Sequence, residues 1–480
     1  MVQDKKWSFS LRSLHIDNIA NVAYANCKLL DQIDGNEVTL SYHNNTHLMS
    51  QPEWDDLEID PENFPDENNF FNNSEDFSDY QLKNWINRDT LLTHNHPSFV
   101  SLGRYLPLKL KNRIRPAFLT TMRMIQNRRD FSIPFSLRGN LKDPWKSRCD
   151  NLSKISRTFD KRWHISSFEF DSFYKQSVWV KKYLKNKEIV FSYALSPIYS
   201  MILGNHPFIS VEIGTMRNIP FENSLIGKAL ALAYRLSPHI LITNPDVKSR
   251  AEKLGIERFS FCPHPVDEDI YKPLGPSKVK KLRMELIPEH KNKFILFSPA
   301  RQNWGVKGND KLFIAFAKAF KTKKDVLLII PGWGQEVKRS KTLCNKLGLT
   351  KNISWINPIP EPLMVKYFQI SDLVLDQFQL GVFGLITSKA LSCGKPVITS
   401  YSDNINSWCF KERPPVLSAN STDEISHSFI SLYKQKNSLR KISIDSRKWI
   451  ENHHSKEIVV NILLASAEKA REYFKKGNKI

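Results

Sequence analysis

The chain has 480 residues, enough for two or three domains that each bury a sizeable core. Lys and Arg exceed Asp and Glu by 70 − 49, and this formal net charge of +21 favours an anionic partner, although a generally basic cytosolic protein has the same balance. No apolar run approaches the roughly 18 residues that span a bilayer, and the first residues lack the apolar core of a signal peptide. The six cysteines contain no CxxC pair, so we expect a protein of the reducing cytoplasm without a zinc site or disulfides.

The first predicted elements form one βαβ unit. A strand over Trp7–Ile16 is followed by a helix that continues to about Gln32 and by a second strand over Glu37–Tyr42. The loop Asp17–Asn21 joins the first strand to the helix, which is where ligands bind in a parallel sheet. Asn21 is therefore a candidate residue on the acceptor side, and ordinary turn and cap chemistry explains the same loop equally well.

Two stretches between residues 51 and 162 predict an irregular or helical insertion. Residues 51–79 hold eleven acidic residues and no Lys or Arg, which indicates a solvated loop or a guard over a basic cleft. Residues 101–162 hold sixteen Lys or Arg and four acidic residues, with apolar residues interleaved. That pattern fits contact with an anionic membrane or acceptor, or a solvated helical face. Nucleic acid has the least support, because no RRM, KH or helix-turn-helix pattern is present.

Three strand-like runs separated by helix-like segments follow, at Glu188–Ala194, Phe208–Glu212 and His239–Thr243. Gly214, Thr215 and Arg217 come directly after the middle run, at the edge of the sheet where ligands bind. Arg217 contacts an acceptor phosphate or sugar acid in one interpretation. In the other interpretation it forms a salt bridge with Glu212 or Glu222.

The segment that closes this half of the chain combines prolines with one histidine. His264 lies between two prolines after the predicted strand Phe259–Cys262, so it is either a cleft residue or part of a rigid connector. Leu274–Lys291 is rich in Lys and contains Gly275-Pro276, which predicts an inter-domain linker.

Residues 294–401 are the most informative stretch. Three predicted strands, beginning at Phe294, Val326 and Leu373, alternate with helix-like segments, which indicates a second parallel βαβ domain. Candidate ligand-binding residues come after these strands, namely Arg301, Lys307, Gly332 and Gly384. Two fixed cations and a glycine that opens a helix form a cradle for a diphosphate, with plain surface charge as the alternative. Asp376 is either a polar residue at the edge of this site or a turn residue.

These residues resemble the nucleotide-binding half of the family-4 glycosyltransferases, which are retaining enzymes with two Rossmann-like domains (the GT-B architecture). The family usually has an Arg and a Lys after the first strand, here Arg301 and Lys307, and a Gly-x-Gly after the second, here Gly332-Trp-Gly334. The family's signature Glu-Gly-Phe-Gly-Leu…Cys-Gly-Lys-Pro-Val is followed over most of Val382–Val397.

The sequence departs from the family at three positions. Gly381 and Lys389 stand where the family has the two glutamates of its Glu-x7-Glu motif, and Ile213 stands where a histidine often faces the donor sugar. A carboxylate at 389 would accept hydrogen bonds from two ribose hydroxyls, whereas an ammonium only donates. Three accounts remain open: Lys389 contacts a donor phosphate, the ribose is held elsewhere, or the chain has lost catalysis and kept binding.

The resemblance implies an α/β fold of two Rossmann-like parallel-sheet domains facing a central cleft. The acceptor domain would span 1–273 with the insertion at about 51–162, and the linker 274–291 would lead to a donor domain at 292–445. Residues 446–480 would form a helix that crosses back to the first domain. Arg301 and Lys307 would be catalytic, and the donor would also contact residues that share the second half of the cleft, namely Gly332, Gly334, Gly381, Phe383, Gly384, Leu385 and Lys389. Asn21, Gly214, Thr215 and Arg217 would face the acceptor.

The predicted function is transfer of a sugar from a nucleotide-diphosphate sugar to a glycan or lipid-linked acceptor in envelope or extracellular polysaccharide synthesis. The resemblance implies retention of configuration, with no metal and no other cofactor. We expect a cytoplasmic protein, with a peripheral membrane contact through 101–162 as one alternative and no nucleic-acid partner. The second hypothesis is a catalytically degenerate GT-B binding subunit, which the residues at 213, 381 and 389 favour.

Overall fold

A computed structural model describes residues 10–43, 48–58, 80–89, 144–159 and 163–477. Within these residues the first β-sheet consists of β1 (Arg12–Ile16), β2 (Glu37–His43), β3 (Ile86–Asp89), β4 (Ile189–Tyr193), β5 (Phe208–Glu212), β6 (His239–Ile242) and β7 (Phe259–Phe261). All seven strands are parallel, in the order β3-β2-β1-β4-β5-β6-β7. The order reverses at the pair β1 and β4, which are adjacent in the sheet although not consecutive among its strands. This topological switch point is where doubly wound sheets bind ligands.

Helices cover both faces of the first sheet. The described helices before residue 274 are α1 (Val22–Asp31), α2 (Pro52–Asp56), α3 (Pro144–Phe159), α4 (Ser167–Ser177), α5 (Pro197–Leu203), α6 (Leu225–Leu236) and α7 (Lys248–Lys253). Two of them begin with a serine cap: the hydroxyls of Ser166 and Ser224 accept the backbone N–H groups of Glu169 and Gly227.

The second sheet repeats the winding of the first. Its strands are β8 (Phe294–Phe297), β9 (Val326–Pro331), β10 (Ile353–Ile356), β11 (Leu373–Leu375), β12 (Val397–Thr399) and β13 (Leu417–Ser418). They are parallel in the order β10-β9-β8-β11-β12-β13, so the switch point lies between β8 and β11. The predicted fold class, two Rossmann-like domains with parallel sheets, is confirmed.

The described helices from residue 274 onward lie around the second sheet, apart from the last one. They are α8 (Pro276–Leu286), α9 (Trp304–Lys307), α10 (Asn309–Phe320), α11 (Val337–Leu347), α12 (Glu361–Ile370), α13 (Leu385–Ser392), α14 (Asp403–Asn406), α15 (Thr422–Lys434), α16 (Lys436–His453) and α17 (Lys456–Lys475).

Each sheet is buried on both faces, as its continuous apolar strands predict. In β4, for example, Val190 packs into one core cluster while its neighbours Ile189 and Phe191 pack into another on the opposite face. The second of these clusters includes Val459 and Leu463 of α17. The last helix of the chain therefore packs on the first sheet and ties the two domains together.

Two segments differ from the sequence-based assignment. Residues 51–162 were assigned to an insertion, yet β3 is an edge strand of the first sheet and α3 packs beside α4. Residues 59–79, 90–143 and 160–162 of that range lie outside the described residues. The range 274–291 was assigned to a linker, yet it holds α8, which Arg283 fastens to the second domain through Asp372 at 2.8 Å.

The short strands β3, β10 and β13 were not predicted. β3 contains Asn, Arg and Asp, residues that are uncommon in strands, and β13 has only two residues. For β3 and β13, pairing with longer neighbours rather than their own composition makes them strands.

Candidate active site

The loops at the second switch point hold two of the predicted cations. Asn303 caps α9 by accepting the N–H of Val306 at 3.0 Å, and Gly308 ends this helix with φ 66°. The carbonyl of Lys307 accepts the N–H of Phe378 at 2.8 Å, which joins the loop after β8 to the loop after β11. This bond holds Lys307 at the junction of the two loops, while Arg301 lies earlier in the first loop and is exposed.

Lys307 is surrounded by charge from both domains. Burial lowers its pKa, the Asp376 carboxylate acts in the opposite direction, and the guanidiniums of Arg301 and Arg217 lower it further. Arg217 belongs to the first domain, so cations of both domains act on Lys307. An anion bound among them would relieve their mutual repulsion.

Asp376 is a buried carboxylate rather than a turn residue at the surface. Its Oδ2 accepts a hydrogen bond from the Thr387 hydroxyl in the first turn of α13 at 2.7 Å. Its Oδ1 is buried without a hydrogen-bond partner among the described residues. Asp376 therefore connects Lys307 with the N-terminal turn of α13.

The amino end of α13 is shaped by Gln377. The Gln377 side chain donates to the carbonyls of Val382 and Ser400 and accepts the N–H of Leu380 at 2.7 Å, which fixes the loop before the helix. Gly384 is the N-cap of α13, and in the described part of the chain no side chain caps this helix. Its first N–H groups, with the positive end of the helix dipole, are therefore a suitable site for an anion.

Gly381 cannot be exchanged for a glutamate without strain. Its φ of 71° lies in the left-handed region, and a Cβ added there would lie 3.3 Å from the Cβ of Ser402. The position of the first motif glutamate thus serves a backbone turn in this chain. Gly334 is comparable: its φ is 104°, and an added Cβ would lie 2.7 Å from backbone atoms of Gln302, so the loops after β8 and β9 pack closely there.

Phe383 was predicted to bind the donor and instead lies in the core. It is 4% exposed and packs against Phe410 and Trp449 at ring-centroid distances of 5.1 and 5.4 Å. Its role is to hold the loop before α13 against the second domain. Gly332 and Leu385 keep positions at the carboxyl edge of the sheet, the former after β9 and the latter at the start of α13.

Lys389 is paired with a carboxylate that was not predicted from the sequence. Its Nζ donates to Oε2 of Glu361, the first residue of α12, at 2.6 Å. The same oxygen accepts the hydroxyl of Tyr271, and the ammonium lies 5.3 Å from the centre of the Tyr271 ring. Glu361 follows β10 at the carboxyl edge of the sheet, so the rule that ligands bind at this edge could have identified it.

Asn21 organises a loop of its own domain. It has φ 54°, and its amide donates to the carbonyl of Gln51 at 2.7 Å and to Oδ1 of Asp55 at 2.9 Å. Its own oxygen accepts the Asn18 amide at 2.7 Å. With its amide committed in this way, Asn21 positions the segment that carries Asp55.

Asp55 brings a second carboxyl group toward Glu361. It is on α2 of the first domain, which packs against α12 of the second. Burial raises the pKa of Asp55 to about 7, the negative charge of Glu361 adds to that rise, and Lys389, Lys28 and Asn21 act against it. The Asp55 carboxyl therefore keeps its proton to a higher pH than a free aspartate does.

The predicted acceptor-side residues after β5 are largely engaged within their own domain. The Thr215 hydroxyl is 2.6 Å from that of Tyr234, and Arg217 makes a bidentate pair with Asp246 at 2.6 and 2.8 Å. Glu212 and Glu222 were the predicted salt-bridge partners of Arg217. In the structure its partner is Asp246 instead. This pair lets a partly exposed guanidinium keep a fixed orientation at the cleft.

Glu212 and Gly214 explain the shape of this loop. Oε1 of the buried Glu212 accepts the N–H groups of Gly214 at 2.5 Å and of Met216 at 3.1 Å. Burial raises the pKa of Glu212, whereas these two hydrogen bonds lower it. The other oxygen, Oε2, has no hydrogen-bond partner in the described part of the chain.

His264 lies in the cleft between cations of both domains. Burial lowers its pKa to about 4, and the charges of Lys389, Arg217 and Lys307 lower it in the same direction. Its Nδ1 is buried and has no hydrogen-bond partner within the described ranges. The imidazole is therefore neutral at physiological pH, and it lines the cleft.

A cavity of about 530 Å³ occupies the cleft. The first domain contributes Asn21 and Asp55, the segment after β7 contributes His264 and Tyr271, and the second domain contributes Glu361 and Lys389. A volume of this size suits a small molecule with polar groups at a few defined points.

Comparisons with known proteins agree with this architecture. Residues 279–449 match the family model described as glycosyl transferases group 1. A search of curated proteins returns no match. Among solved structures, Anabaena HepE in complex with UDP and glucose has a TM-score of 0.57 at 14% identity, covering 95% of this chain and 99% of that one.

Two further solved structures show the same fold over their whole length. Sucrose-phosphate synthase from Thermosynechococcus elongatus has a TM-score of 0.59 at 12% identity, covering 97% of this chain and 100% of that one. A glycosyltransferase from Rickettsia africae has a TM-score of 0.56 at 13% identity, covering 96% of this chain and 98% of that one. The protein thus has the GT-B fold, and residues 279–449 of its second domain are similar to the glycosyl transferases group 1 family. Among the helices that the structure describes, none is both long and apolar enough to cross a membrane.

Proposed function

We propose that the protein is a glycosyltransferase that moves a sugar from a nucleotide-diphosphate sugar to a glycan or lipid-linked acceptor. The observation that carries this proposal is the position of Lys307 at the switch point of the second sheet, where its loop is bonded to Phe378 and the Asp376 carboxylate links it to the first turn of α13. The glycosyl transferases group 1 match over the same domain supports it. UDP-sugars are the donors to test first, because HepE has been solved with UDP and with UDP-glucose.

In this proposal the donor diphosphate binds between Arg301, Lys307 and the backbone N–H groups near Gly384 and Leu385. Negative charge grows on the diphosphate as the bond to the sugar breaks. Fixed cations and a helix N-terminus stabilise that charge more in the transition state than in the ground state, which accelerates the reaction. The cations, rather than a metal ion, supply the electrostatic stabilisation here.

The acceptor would enter from the first domain and meet the donor in the cleft. The packing of α2 on α12 closes one side of that cleft, and closure excludes water from the reacting groups. We further propose retention of configuration and a role in envelope or extracellular polysaccharide synthesis. We also propose a cytoplasmic position, with residues 101–162 contacting an anionic membrane surface.

A second candidate is a GT-B binding subunit without catalysis. Three observations favour it: Ile213 replaces the family histidine, Gly381 occupies a left-handed turn, and Lys389 is paired with Glu361. Such a subunit would bind a nucleotide or a glycan and turn neither over.

Thermal unfolding with UDP, GDP and CMP distinguishes these functions. A ligand present at 100 times its dissociation constant stabilises the native state by about 2.7 kcal/mol, so one nucleotide should raise the melting temperature clearly. Release of UDP from a UDP-sugar on addition of acceptor would then support the transferase. A shift without turnover would support the binding subunit, and the absence of any shift would refute the nucleotide site itself.

A further inference from the structure

The charge at position 389 is reversed relative to the family motif, but the carboxylate is retained nearby on another helix. Lys389 is on α13, and Glu361 begins α12 after the loop that follows β10. Their side chains are 12% and 25% exposed, so the pair is sheltered from water without being fully removed from it. A sheltered ion pair that lines a cavity can exchange part of its solvation for a polar ligand.

The pair has unused hydrogen-bonding capacity on the carboxylate. Oε2 of Glu361 accepts both Lys389 at 2.6 Å and the hydroxyl of Tyr271. Its Oε1 accepts no hydrogen bond from the described residues. Tyr271 and Lys389 together hold the carboxylate in one orientation, with Glu361 still lining the cavity.

The chemistry of the pair matches a vicinal diol. Each hydroxyl of a diol donates one hydrogen bond and accepts others. A carboxylate accepts from the hydroxyls and an ammonium donates to them, so the two groups together satisfy a diol on both sides. A lone ammonium would leave the hydroxyl protons without an acceptor.

The position of the pair suits the sugar of a nucleotide. Lys389 is five residues after Gly384, which corresponds to about 7.5 Å along the helix axis at 1.5 Å per residue. When the diphosphate of a ligand lies at the amino end of α13, the group bonded to that diphosphate therefore lies at the Glu361–Lys389 pair. In a nucleoside diphosphate that group is ribose.

We propose that Glu361 and Lys389 together bind the vicinal diol of the donor's ribose, with Glu361 as the acceptor that sets specificity for a ribonucleotide. This inference rests on the proposed nucleotide site, and it assigns to a residue on another helix the role that a glutamate at 389 would have. It selects the second of the three accounts of Lys389: the ribose is held by a different residue.

Isothermal titration of the full chain with UDP and with 2′-deoxy-UDP tests the inference. We expect the wild type to bind UDP at least about tenfold more tightly than its deoxy analogue, since a hydrogen bond to a charged group is lost. In Glu361→Gln the preference should fall to about twofold or less. Lys389→Gln should lower it as well, because the carboxylate then loses its fixed orientation.

The charge-exchanged double variant Glu361→Lys with Lys389→Glu keeps one carboxylate and one ammonium, so part of the preference should return. Asp423→Asn is the matched control, because it removes a carboxylate from a surface ion pair with Lys318, 2.7 Å long, on outer helices. It should leave the preference unchanged. Thermal unfolding without ligand shows that each variant is folded.

Two results would overturn the inference, and they have different meanings. If UDP binds and the preference survives in both single variants, Glu361 and Lys389 do not bind the diol, and the nucleotide site stands. If neither UDP nor GDP nor CMP binds the wild type, the proposed function fails and the inference fails with it.

Discussion

The two switch points have the same strand order but use their polar residues differently. At the second one, the loops after β8 and β11 bring Lys307 and Arg301 together beside an amino helix end. At the first one, Asn21 is hydrogen-bonded to Gln51 and Asp55 of its own domain. The Rossmann winding thus creates two equivalent edges, and the loop sequences place cations at one and a hydrogen-bonded scaffold at the other.

The comparison also separates two kinds of buried carboxyl group. Asp376, at the second switch point, is close enough to Lys307 to oppose the lowering of its pKa. Asp17, at the first, has its pKa raised to about 7 by burial. The carboxylate at the second switch point therefore has a cation beside it, whereas burial alone raises the pKa of the one at the first.

The largest effect should come from removing the central cation of the second switch point. Lys307→Met keeps the aliphatic volume and loses the charge, so nucleoside diphosphate affinity should fall by roughly 100-fold, or about 3 kcal/mol. Isothermal titration with UDP measures it. Lys318→Met removes a lysine from a surface ion pair as the control, and an affinity of Lys307→Met within threefold of the wild type would contradict the proposed cradle.

The raised pKa of Asp55 predicts how the free energy of unfolding depends on pH. Its native pKa is about 7 and its unperturbed value 3.8, so between these pH values the native state holds a proton that the unfolded state has released. The free energy of unfolding should therefore decrease with rising pH across this window, by at most about 1.4 kcal/mol per pH unit for this group, and level off above it.

Urea unfolding at several pH values measures this slope. In Asp55→Asn the group no longer titrates, so the slope between pH 4 and 7 should become shallower. Asp17 is raised to the same range and keeps part of the slope in that variant. An identical slope in wild type and variant would show that the Asp55 carboxyl is ionised in the native state.

Variants of Asn21 test whether the hydrogen bonds at the first switch point stabilise the fold. Asn21→Ala loses the hydrogen bonds to Gln51 and Asp55 and forces alanine into a left-handed conformation, which should cost about 2 kcal/mol of unfolding free energy. Asn21→Gly accepts that conformation and should cost about 1 kcal/mol less. Equal losses would mean that the backbone conformation contributes nothing.

The smallest effect should follow from the surface bridge between the domains. Lys366 contacts Glu58 at 2.8 Å, and the Glu58 side chain is 61% exposed. Lys366→Gln should change the unfolding free energy by less than about 0.5 kcal/mol. A loss comparable to that of Asn21→Ala would mean that the surface bridge, rather than the buried cluster around Asp55, holds α2 on α12.

Sequence reasoning found most of the fold because the relevant signals are local. Strands such as β8 and β9 are continuous apolar runs, and several helices carry their own caps and periodicity. The helix Glu361–Ile370 and the strand Phe208–Glu212 were predicted with the bounds that the structure has. Strand β3 was missed because its pairing with β2, not its composition, defines it.

The sequence by itself determined two wound sheets and the cations that follow their strands, since spacing along the chain is enough to place a residue at the edge of a sheet. Only the tertiary structure decided which side chains meet there. Phe383 belongs to a motif and is buried in the core, whereas Glu361 belongs to none and lies 2.6 Å from Lys389. The physical reason is that hydrogen bonds and charge pairs act over a few ångströms between residues far apart in sequence, and such distances exist only once the chain has folded.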